Sequence, residues 1–150
     1  IEKAKTGILP ITDINMTRFN ITLHDGVNIV LRAVDEMTGG EIIVPKMPSY
    51  RIKDIAEAIG PSCIHKIEGF RPGEKLHEEM ITNTDSYNTI DLGGYYAILP
   101  SISFTYTEKE FLKHHKAKKV PFGFTYSSET NSKWETIETL KKKIDLNVKI

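Results

Sequence analysis

The stretch "EIIVPKMPSYRIKDIAEAIGPSCIHKIEG", residues 41–69, decides the fold class of this chain. Its first part, 41–45, is short, rich in β-branched residues and bounded by glycines and a proline, which predicts a buried strand. Residues 51–59 repeat apolar side chains at helical spacing before a Gly-Pro pair, which predicts a helix. Residues 63–68 alternate apolar and polar side chains, which predicts another strand. This order indicates an α/β fold with parallel strands joined by crossover helices.

The segments on either side of this stretch add further predicted elements. Residues 21–37 carry apolar side chains mostly three and four positions apart, with Thr22 and Asp25 at the start, which predicts an amphipathic helix. Downstream, Gly93-Gly94 predicts two short strands around it within 88–99. Thr107 and Glu110 predict a capped helix over 107–115. A loop is predicted over 127–134, and acidic residues followed by lysines predict a final helix over 135–144.

Composition limits the classes of partner and compartment. The 150 residues fit one domain, and the 20 basic and 20 acidic side chains balance, so the bulk charge does not indicate a nucleic acid or an anionic membrane as partner. The single cysteine, Cys63, has no second cysteine for a disulfide or a zinc site, and we expect it to be a small core residue. With no long apolar run and no signal-peptide pattern, the sequence predicts a soluble, cytoplasmic protein.

Familiar catalytic motifs are missing from the sequence. It contains no G-x-G-x-x-G fingerprint, no phosphate-binding loop, no nucleophile elbow and no H-E-x-x-H zinc motif. Adjacent His114 and His115 would point about 100° apart on a helix, and the neighbouring lysines repel a cation, so we predict a solvated basic face there rather than a metal site. We therefore expect no catalytic, cofactor-binding or metal-binding residue within these 150 residues.

The segment "GFRPGEKLHEEM", residues 69–80, holds the first candidate binding residues, Arg71 and Glu74. A proline and a glycine between them predict a turn, and Glu74 is expected to begin a helix. A guanidinium and a carboxylate beside a helix start could bind a phosphate and a sugar hydroxyl. A surface Arg-Glu pair with a helix cap explains the same spacing, and spacing alone slightly favours that structural interpretation.

A second candidate is Arg18, which lies between Thr17 and Phe19 without an acidic partner nearby in sequence. It could be a surface arginine whose stem covers apolar groups. Together with Arg71 it could instead chelate a diphosphate if the fold brings the two arginines together, which sequence spacing leaves open.

Several segments together resemble a known family, and their combination in this order is more informative than any single one. The segments are "LPITDINMTRF" (9–19), "GGEIIVPKMPSYRIKDIAEAIG" (39–60), "GFRPGEKLHEEMI" (69–81), "YYAILP" (95–100) and "YSSETNSKW" (126–134). They are similar to the C-terminal half of the inverting UDP-N-acetylglucosamine 4,6-dehydratases, which are extended short-chain dehydrogenase/reductases. The resemblance covers nearly the whole chain. It implies an α/β substrate-binding lobe that closes over a UDP-sugar, with the NADP-binding Rossmann core outside these residues.

The resemblance also implies roles for particular residues. Arg18 and Arg71 would grip the diphosphate, and Glu74 would hold the ribose hydroxyls of the uridine. The uracil pocket would be lined by Leu9, Pro10, Ile11 and Thr12. The glycine fingerprint, the Tyr-x-x-x-Lys pair and the acid and base residues of the family lie upstream of the matching region.

For the intact enzyme, the resemblance implies NADP-dependent loss of water across C5 and C6 of UDP-N-acetylglucosamine with inversion at C5. The product, a UDP-4-keto-6-deoxy-hexosamine, would serve surface polysaccharide or flagellin glycan synthesis, including the route to pseudaminic acid, and the intact enzyme is expected to be a homo-oligomer. Two alternatives stay open. One is a retaining dehydratase or an epimerase of the same superfamily, and the other is a UDP-sugar-binding module without chemistry.

The sequence begins "IEKAKTG" without methionine, in what resembles a helix end. We therefore expect residues 1–150 to be a single substrate-binding lobe within a longer chain whose Rossmann domain lies upstream.

Overall fold

The computed structural model describes residues 1–102 and 105–148 and divides the chain into two compact units. Unit 1 comprises Ile1–Asn20, Met47–Glu78 and Ser127–Ile150, and unit 2 comprises Ile21–Lys46 and Glu79–Tyr126. Each unit is assembled from segments that are separated in the sequence. The core of each unit therefore depends on long-range contacts.

Short strands and four α-helices alternate along the described residues. The helices are α1 (Leu23–Glu36), α2 (Ile52–Ile59), α3 (Glu108–His115) and α4 (Ile137–Asn147), and 3₁₀ helices span Glu2–Thr6 and Thr84–Asn88. The strands are β1 (Ile8–Ile11), β2 (Thr17–Phe19), β3 (Ile42–Pro45), β4 (Ser49–Arg51), β5 (Ile64–Ile67), β6 (Glu79–Ile81), β7 (Thr89–Asp91), β8 (Tyr95–Ile98), β9 (Lys118–Lys119) and β10 (Tyr126–Ser127). β6 and β10 form a two-stranded ladder.

Unit 1 is built on the parallel pair of β1 and β5, in which Ile8 pairs with Ile64 and Ile11 with Ile67. Helix α2 packs against this pair, and the buried side chains of Leu9, Ile11 and Ala56 form its core. β2 and β4 form a separate antiparallel pair in the same unit. The predicted α/β arrangement of strand, helix and parallel strand is thus found here, and its strands are β1 and β5.

Unit 2 contains an antiparallel sheet of four strands in the order β3, β8, β7, β9. The buried side chains of Ile90, Ala97, Leu99 and Phe111 form its core. A strand does form within 41–45, but the prediction that it is a buried strand of a parallel sheet is wrong. β3 lies at the edge of the sheet, antiparallel to β8, and its residue Ile42 is 62% exposed. The structure is therefore a mixed α/β fold.

Most predicted local elements are confirmed. The amphipathic helix in 21–37 is α1, whose N-terminus is capped by the Thr22 hydroxyl accepting from the Asp25 amide at 3.1 Å. The predicted helices over 51–59, 107–115 and 135–144 are α2, α3 and α4, and α3 begins with the predicted capping box. The predicted strand over 63–68 is β5, and the strands around Gly93-Gly94 are β7 and β8.

The turn segment, residues 69–78, corrects one prediction, because no helix begins at Glu74. A helix would need its amides to bond carbonyls four residues earlier. Here the Leu76 carbonyl accepts from the Thr17 amide at 3.1 Å, and the Glu78 carbonyl accepts from the Ser128 amide at 2.8 Å. A seven-residue helix is marginal by itself, so these long-range hydrogen bonds determine the extended path that leads into β6.

Candidate functional site

The Arg71–Glu74 turn is closed by the carboxylate of Glu74. The Arg71 amide donates to Oε2 of Glu74 at 2.9 Å, and the Glu74 amide donates to the Arg71 carbonyl at 3.1 Å. Gly73 has φ +83°, a left-handed conformation that favours glycine at this position. Among the described residues the Arg71 and Glu74 side chains form no ion pair, and the Arg71 side chain is exposed. The carboxylate therefore shapes the turn through the backbone and leaves the guanidinium free for a ligand.

Arg18 lies on β2 and contacts the second half of the turn segment. Its Nη1 donates to the carbonyls of Thr17 at 2.7 Å and Leu76 at 3.1 Å, and its Nη2 donates to the Lys75 carbonyl at 2.8 Å. Its Nε lies 3.2 Å from Oε1 of Glu78, and only 19% of the side chain is exposed. The structure therefore attaches this arginine to the same segment that contains Arg71, instead of leaving it as an isolated surface cation.

These contacts limit how Arg18 could bind an anion. A guanidinium has five N–H donors. Three are used in hydrogen bonds to carbonyls, and Nε faces Glu78. One Nη2 donor is left for a phosphate in this conformation, whereas the exposed guanidinium of Arg71 can offer a bidentate contact.

The predicted uracil-binding residues lie on β1 and directly after it. Leu9 and Ile11 are buried in the core of unit 1, whereas Pro10 is exposed and Thr12 is partly exposed. The Glu68 amide donates to the Ile11 carbonyl at 2.9 Å, so β1 ends beside the start of the turn segment. Ligands of α/β folds commonly bind at the carboxyl ends of such parallel strands. A base at this edge would meet Pro10 and Thr12, and the backbone of the two buried residues.

A buried polar network, which the sequence analysis missed, also holds the turn segment. The Thr17 hydroxyl lies 2.7 Å from Nδ1 of His77 and 2.7 Å from the Ser128 hydroxyl. The Ser128 hydroxyl accepts from the Glu78 amide at 2.9 Å, and Nε2 of His77 lies 3.6 Å from Oε1 of Glu129. Thr17 and Ser128 are 111 positions apart, so no spacing pattern could have joined them.

A second buried group of unit 1 is the carboxylate of Glu135. It accepts hydrogen bonds from Asn20 at 3.3 Å, from Thr139 at 2.6 Å and from Lys143. Burial disfavours its charged form, but the hydrogen bonds from Lys143 and Thr139 outweigh burial and hold the pKa of the Glu135 carboxyl below its ordinary value. This group ties the start of α4 to the end of β2.

In unit 2 the corresponding charged cluster is Arg32, Glu36 and Tyr95. The Tyr95 hydroxyl donates to Glu36, Nε of Arg32 donates to the same carboxylate at 2.8 Å, and the guanidinium lies 4.6 Å from the centre of the Tyr95 ring. The hydrogen bond from Tyr95 is the main cause that lowers the pKa of the Glu36 carboxyl. These contacts attach α1 to β8 and contain none of the predicted site residues.

His115, the second of the paired histidines, and Cys63 serve packing. No group of three or more possible metal ligands occurs within residues 1–102 and 105–148. His115 packs on Phe111 at 4.3 Å between ring centres, and burial lowers the pKa of its imidazole, with His114 adding to the effect. His114 is exposed as predicted, whereas His115 is half-buried. Cys63 packs against the core of unit 1, as predicted, and its thiol donates to the Ala4 carbonyl at 3.5 Å.

Within the described residues, the two loops that follow the parallel strands of unit 1 do not fit a dinucleotide cofactor. The segments that follow β1 and β5 are "TDINM" and "EGFRPGEK", and neither is a glycine-rich loop that leads from a strand into a helix.

Within the described ranges, no helix is long and apolar enough to span a membrane.

The chain matches a family of known proteins over two thirds of its length. Residues 1–100 match the family described as polysaccharide biosynthesis protein. An inverting UDP-N-acetylglucosamine 4,6-dehydratase from Campylobacter jejuni is 49% identical over 135 residues, which cover 88% of this chain and 40% of the relative. A UDP-glucose 4-epimerase from Rickettsia akari is 35% identical over 139 residues, which cover 89% of this chain and 40% of that relative. The chain thus spans about 40% of the length of the curated relatives it matches.

A solved structure supports the same fold. The X-ray structure of Pen from Bacillus thuringiensis matches 95% of this chain with a TM-score of 0.76 and 24% identity. The match covers 42% of the Pen chain. At this identity the likeness concerns the fold.

Proposed function

The chain belongs to the polysaccharide biosynthesis protein family, and on this premise we propose that it is the sugar-nucleotide-binding part of an inverting UDP-N-acetylglucosamine 4,6-dehydratase. The observation that carries the proposal is the 49% identity to such an enzyme over 88% of this chain. The substrate is UDP-N-acetylglucosamine, and residues 1–150 act as one substrate-binding lobe of a longer enzyme. The product is a 4-keto-6-deoxy sugar nucleotide for surface polysaccharide synthesis, including pseudaminic acid.

The geometry of unit 1 supports a nucleotide grip. The exposed Arg71 guanidinium binds the diphosphate, because a planar fork of N–H donors matches phosphate oxygens. Arg18, which binds the carbonyls of Lys75 and Leu76, adds one donor. Oε2 of Glu74 is occupied by the Arg71 amide, so Oε1 is the oxygen that accepts the ribose hydroxyls. Pro10 and Thr12 supply the surface for uracil at the end of β1.

No chemical step is assigned to this chain. The residues that bind NADP and the residues that transfer protons lie in the Rossmann part of the proposed enzyme. This chain binds and orients the sugar nucleotide. The enzyme acts in the cytoplasm and assembles as a homo-oligomer.

The test is the binding of UDP and of uridine to the full-length protein, measured by titration calorimetry. Arg71→Ala is expected to lower the affinity for UDP about tenfold or more, because a charge-assisted bidentate contact is lost, and to leave uridine binding unchanged. Arg32→Ala is the matched control, since Arg32 is a half-exposed arginine of unit 2 that pairs with Glu36. UDP affinity in Arg71→Ala within about twofold of the wild type would contradict the diphosphate role.

The epimerase alternative has support of its own, because the 35% identical relative is a UDP-glucose 4-epimerase. An epimerase would return a UDP-hexose isomer of unchanged mass. A dehydratase would return a product lighter by one water, and NMR of its C5 configuration would separate inversion from retention. Mass and NMR spectra of the product formed from UDP-N-acetylglucosamine therefore distinguish the candidates.

A further inference from the structure

The network of Thr17, His77, Ser128 and Glu129 has only one direction that satisfies every buried hydroxyl. Ser128 is fully buried, and within the described residues the only acceptor for its hydroxyl proton is Oγ1 of Thr17, at 2.7 Å. The Ser128 oxygen itself accepts from the Glu78 amide. Because a buried donor without an acceptor is costly, Ser128 donates to Thr17.

The proton of Thr17 then has one destination. Its oxygen accepts from Ser128, so its own proton points to Nδ1 of His77, also at 2.7 Å. Nδ1 must accept, which places the imidazole proton on Nε2, facing Oε1 of Glu129 at 3.6 Å. The opposite direction, with a proton on Nδ1, would leave the Ser128 hydroxyl as a buried donor without an acceptor among the described residues.

The network and Arg18 together fix the turn segment. His77 and Glu78 belong to this segment, and both are bound by Thr17 or Ser128. Arg18 binds the carbonyls of Lys75 and Leu76 in the same segment. The backbone that follows Glu74 is thus held by two sets of contacts, although it lacks regular secondary structure up to β6.

We propose that His77, with its proton on Nε2 and Thr17 and Ser128 behind it, is a positioning residue that holds the Arg71–Glu74 turn in the conformation that binds the sugar nucleotide. This inference rests on the proposed function, since it assigns a purpose to the network only if the turn binds UDP.

A double-mutant cycle on the full-length protein tests the proposal, with UDP affinity measured by titration calorimetry. Thr17→Val is expected to lower UDP affinity about three- to tenfold, because His77 loses its donor, and Thr17→Ser is expected to keep wild-type affinity. In the Arg71→Ala background the loss caused by Thr17→Val should shrink, since both changes act on one turn. Losses that multiply independently would overturn the positioning role.

Two controls separate positioning from general destabilisation. Thr89→Val removes an equally buried hydroxyl of unit 2, which donates to the Asp85 carbonyl at 2.7 Å, and should lower the melting temperature without changing UDP affinity. If Thr17→Val fails to fold, Ser128→Ala replaces it in the cycle with the same expectations. Nitrogen-15 NMR of the His77 ring should show Nδ1 without a proton, and a protonated Nδ1 would overturn the proposed direction.

The failure of the inference and the failure of the proposed function give different results. Unchanged UDP affinity in Arg71→Ala alone would remove the nucleotide site and this inference with it. Weakened affinity in Arg71→Ala combined with wild-type affinity in Thr17→Val would overturn the positioning role and leave the nucleotide site standing.

Discussion

In unit 1 the buried hydroxyls of Thr17 and Ser128 bind the turn segment, 60 and 50 positions away in sequence, whereas in unit 2 the buried hydroxyl of Thr89 donates to the Asp85 carbonyl, four positions away. Short-range bonds stabilise the element that contains them, as the capping box of α3 also does. Unit 2 has long-range hydrogen bonds as well, such as the one from Tyr95 to Glu36, but that bond joins a strand to a helix. In unit 1 the long-range bonds of Thr17 and Ser128 fix the path of a segment that has no secondary structure and contains predicted site residues.

The largest changes in stability are expected from substitutions in the two cores. They also test whether UDP binding depends on the core of unit 1 and not on that of unit 2. Ile11→Ala in unit 1 and Ile90→Ala in unit 2 should each lower the free energy of unfolding by about 2–5 kcal/mol, because both side chains are at most 1% exposed. Only Ile11→Ala should also weaken UDP binding, since β1 ends beside the turn segment. Denaturant titration and calorimetry measure the two effects.

The control for this prediction is Ile8→Ala on the same strand, where the side chain is 44% exposed. It should cost less than about 1 kcal/mol. Equal losses for Ile8 and Ile11 would contradict the assignment of the two faces of β1.

The next effect concerns the hydrogen bonds from Arg18 to the turn segment. Arg18→Ala should cost about 1–3 kcal/mol and increase amide hydrogen exchange over residues 75–78, because two of their carbonyls lose a charged donor. Arg18→Lys should retain only part of the stability that Arg18→Ala loses, since an ammonium cannot reproduce the planar fork of N–H donors. Lys66→Ala, which removes an exposed ion pair at 4.0 Å, should stay within about 0.5 kcal/mol. Unchanged amide hydrogen exchange over residues 75–78 in Arg18→Ala would show that the long-range hydrogen bonds of Arg18 do not hold the turn segment.

A smaller effect depends on pH. The pKa of the Glu135 carboxyl in the folded protein lies below its ordinary value of 4.5, so this group stabilises the fold above that pH and ceases to do so as pH falls below it. Glu135→Gln should therefore cost about 1–2 kcal/mol at pH 7, and its difference from wild type should narrow below about pH 4.5. Exposed Glu2→Gln is the control in thermal unfolding across this range. A difference that is constant with pH would refute the ion pair with Lys143.

The smallest effect on stability is expected at Glu74. Glu74→Gln keeps an oxygen that accepts from the Arg71 amide, so the free energy of unfolding should change by less than about 0.5 kcal/mol. UDP affinity should fall about two- to fivefold, because a neutral amide accepts ribose hydroxyls less strongly than a carboxylate. Glu74→Ala, which removes the acceptor altogether, should lose more in both measurements. Wild-type UDP affinity in Glu74→Gln would show that Glu74 only shapes the turn.

Elements whose hydrogen bonds are local were predictable from the sequence. The N-cap of α1 at Thr22, the capping box of α3 and the glycine pair between β7 and β8 each determine structure within a few positions. β2 and β4 were missed, because strands of three residues carry too little periodicity to be recognised. The candidate residues Arg18, Arg71 and Glu74 stood out in the sequence, but their binding roles came from a resemblance, since spacing alone slightly favoured a surface pair for Arg71 and Glu74.

The sequence by itself determined the helices, the hairpin, the turn at Pro72-Gly73 and the family, because each depends on neighbouring residues or on the order of motifs. Only the tertiary structure decided that β1 and not β3 is the parallel partner of β5, and that the chain after Glu74 is extended. It also decided that Arg18 and Thr17 both bind the turn segment. The physical reason is that these choices rest on hydrogen bonds between segments far apart in sequence, and no local pattern records which distant donor will meet a given carbonyl.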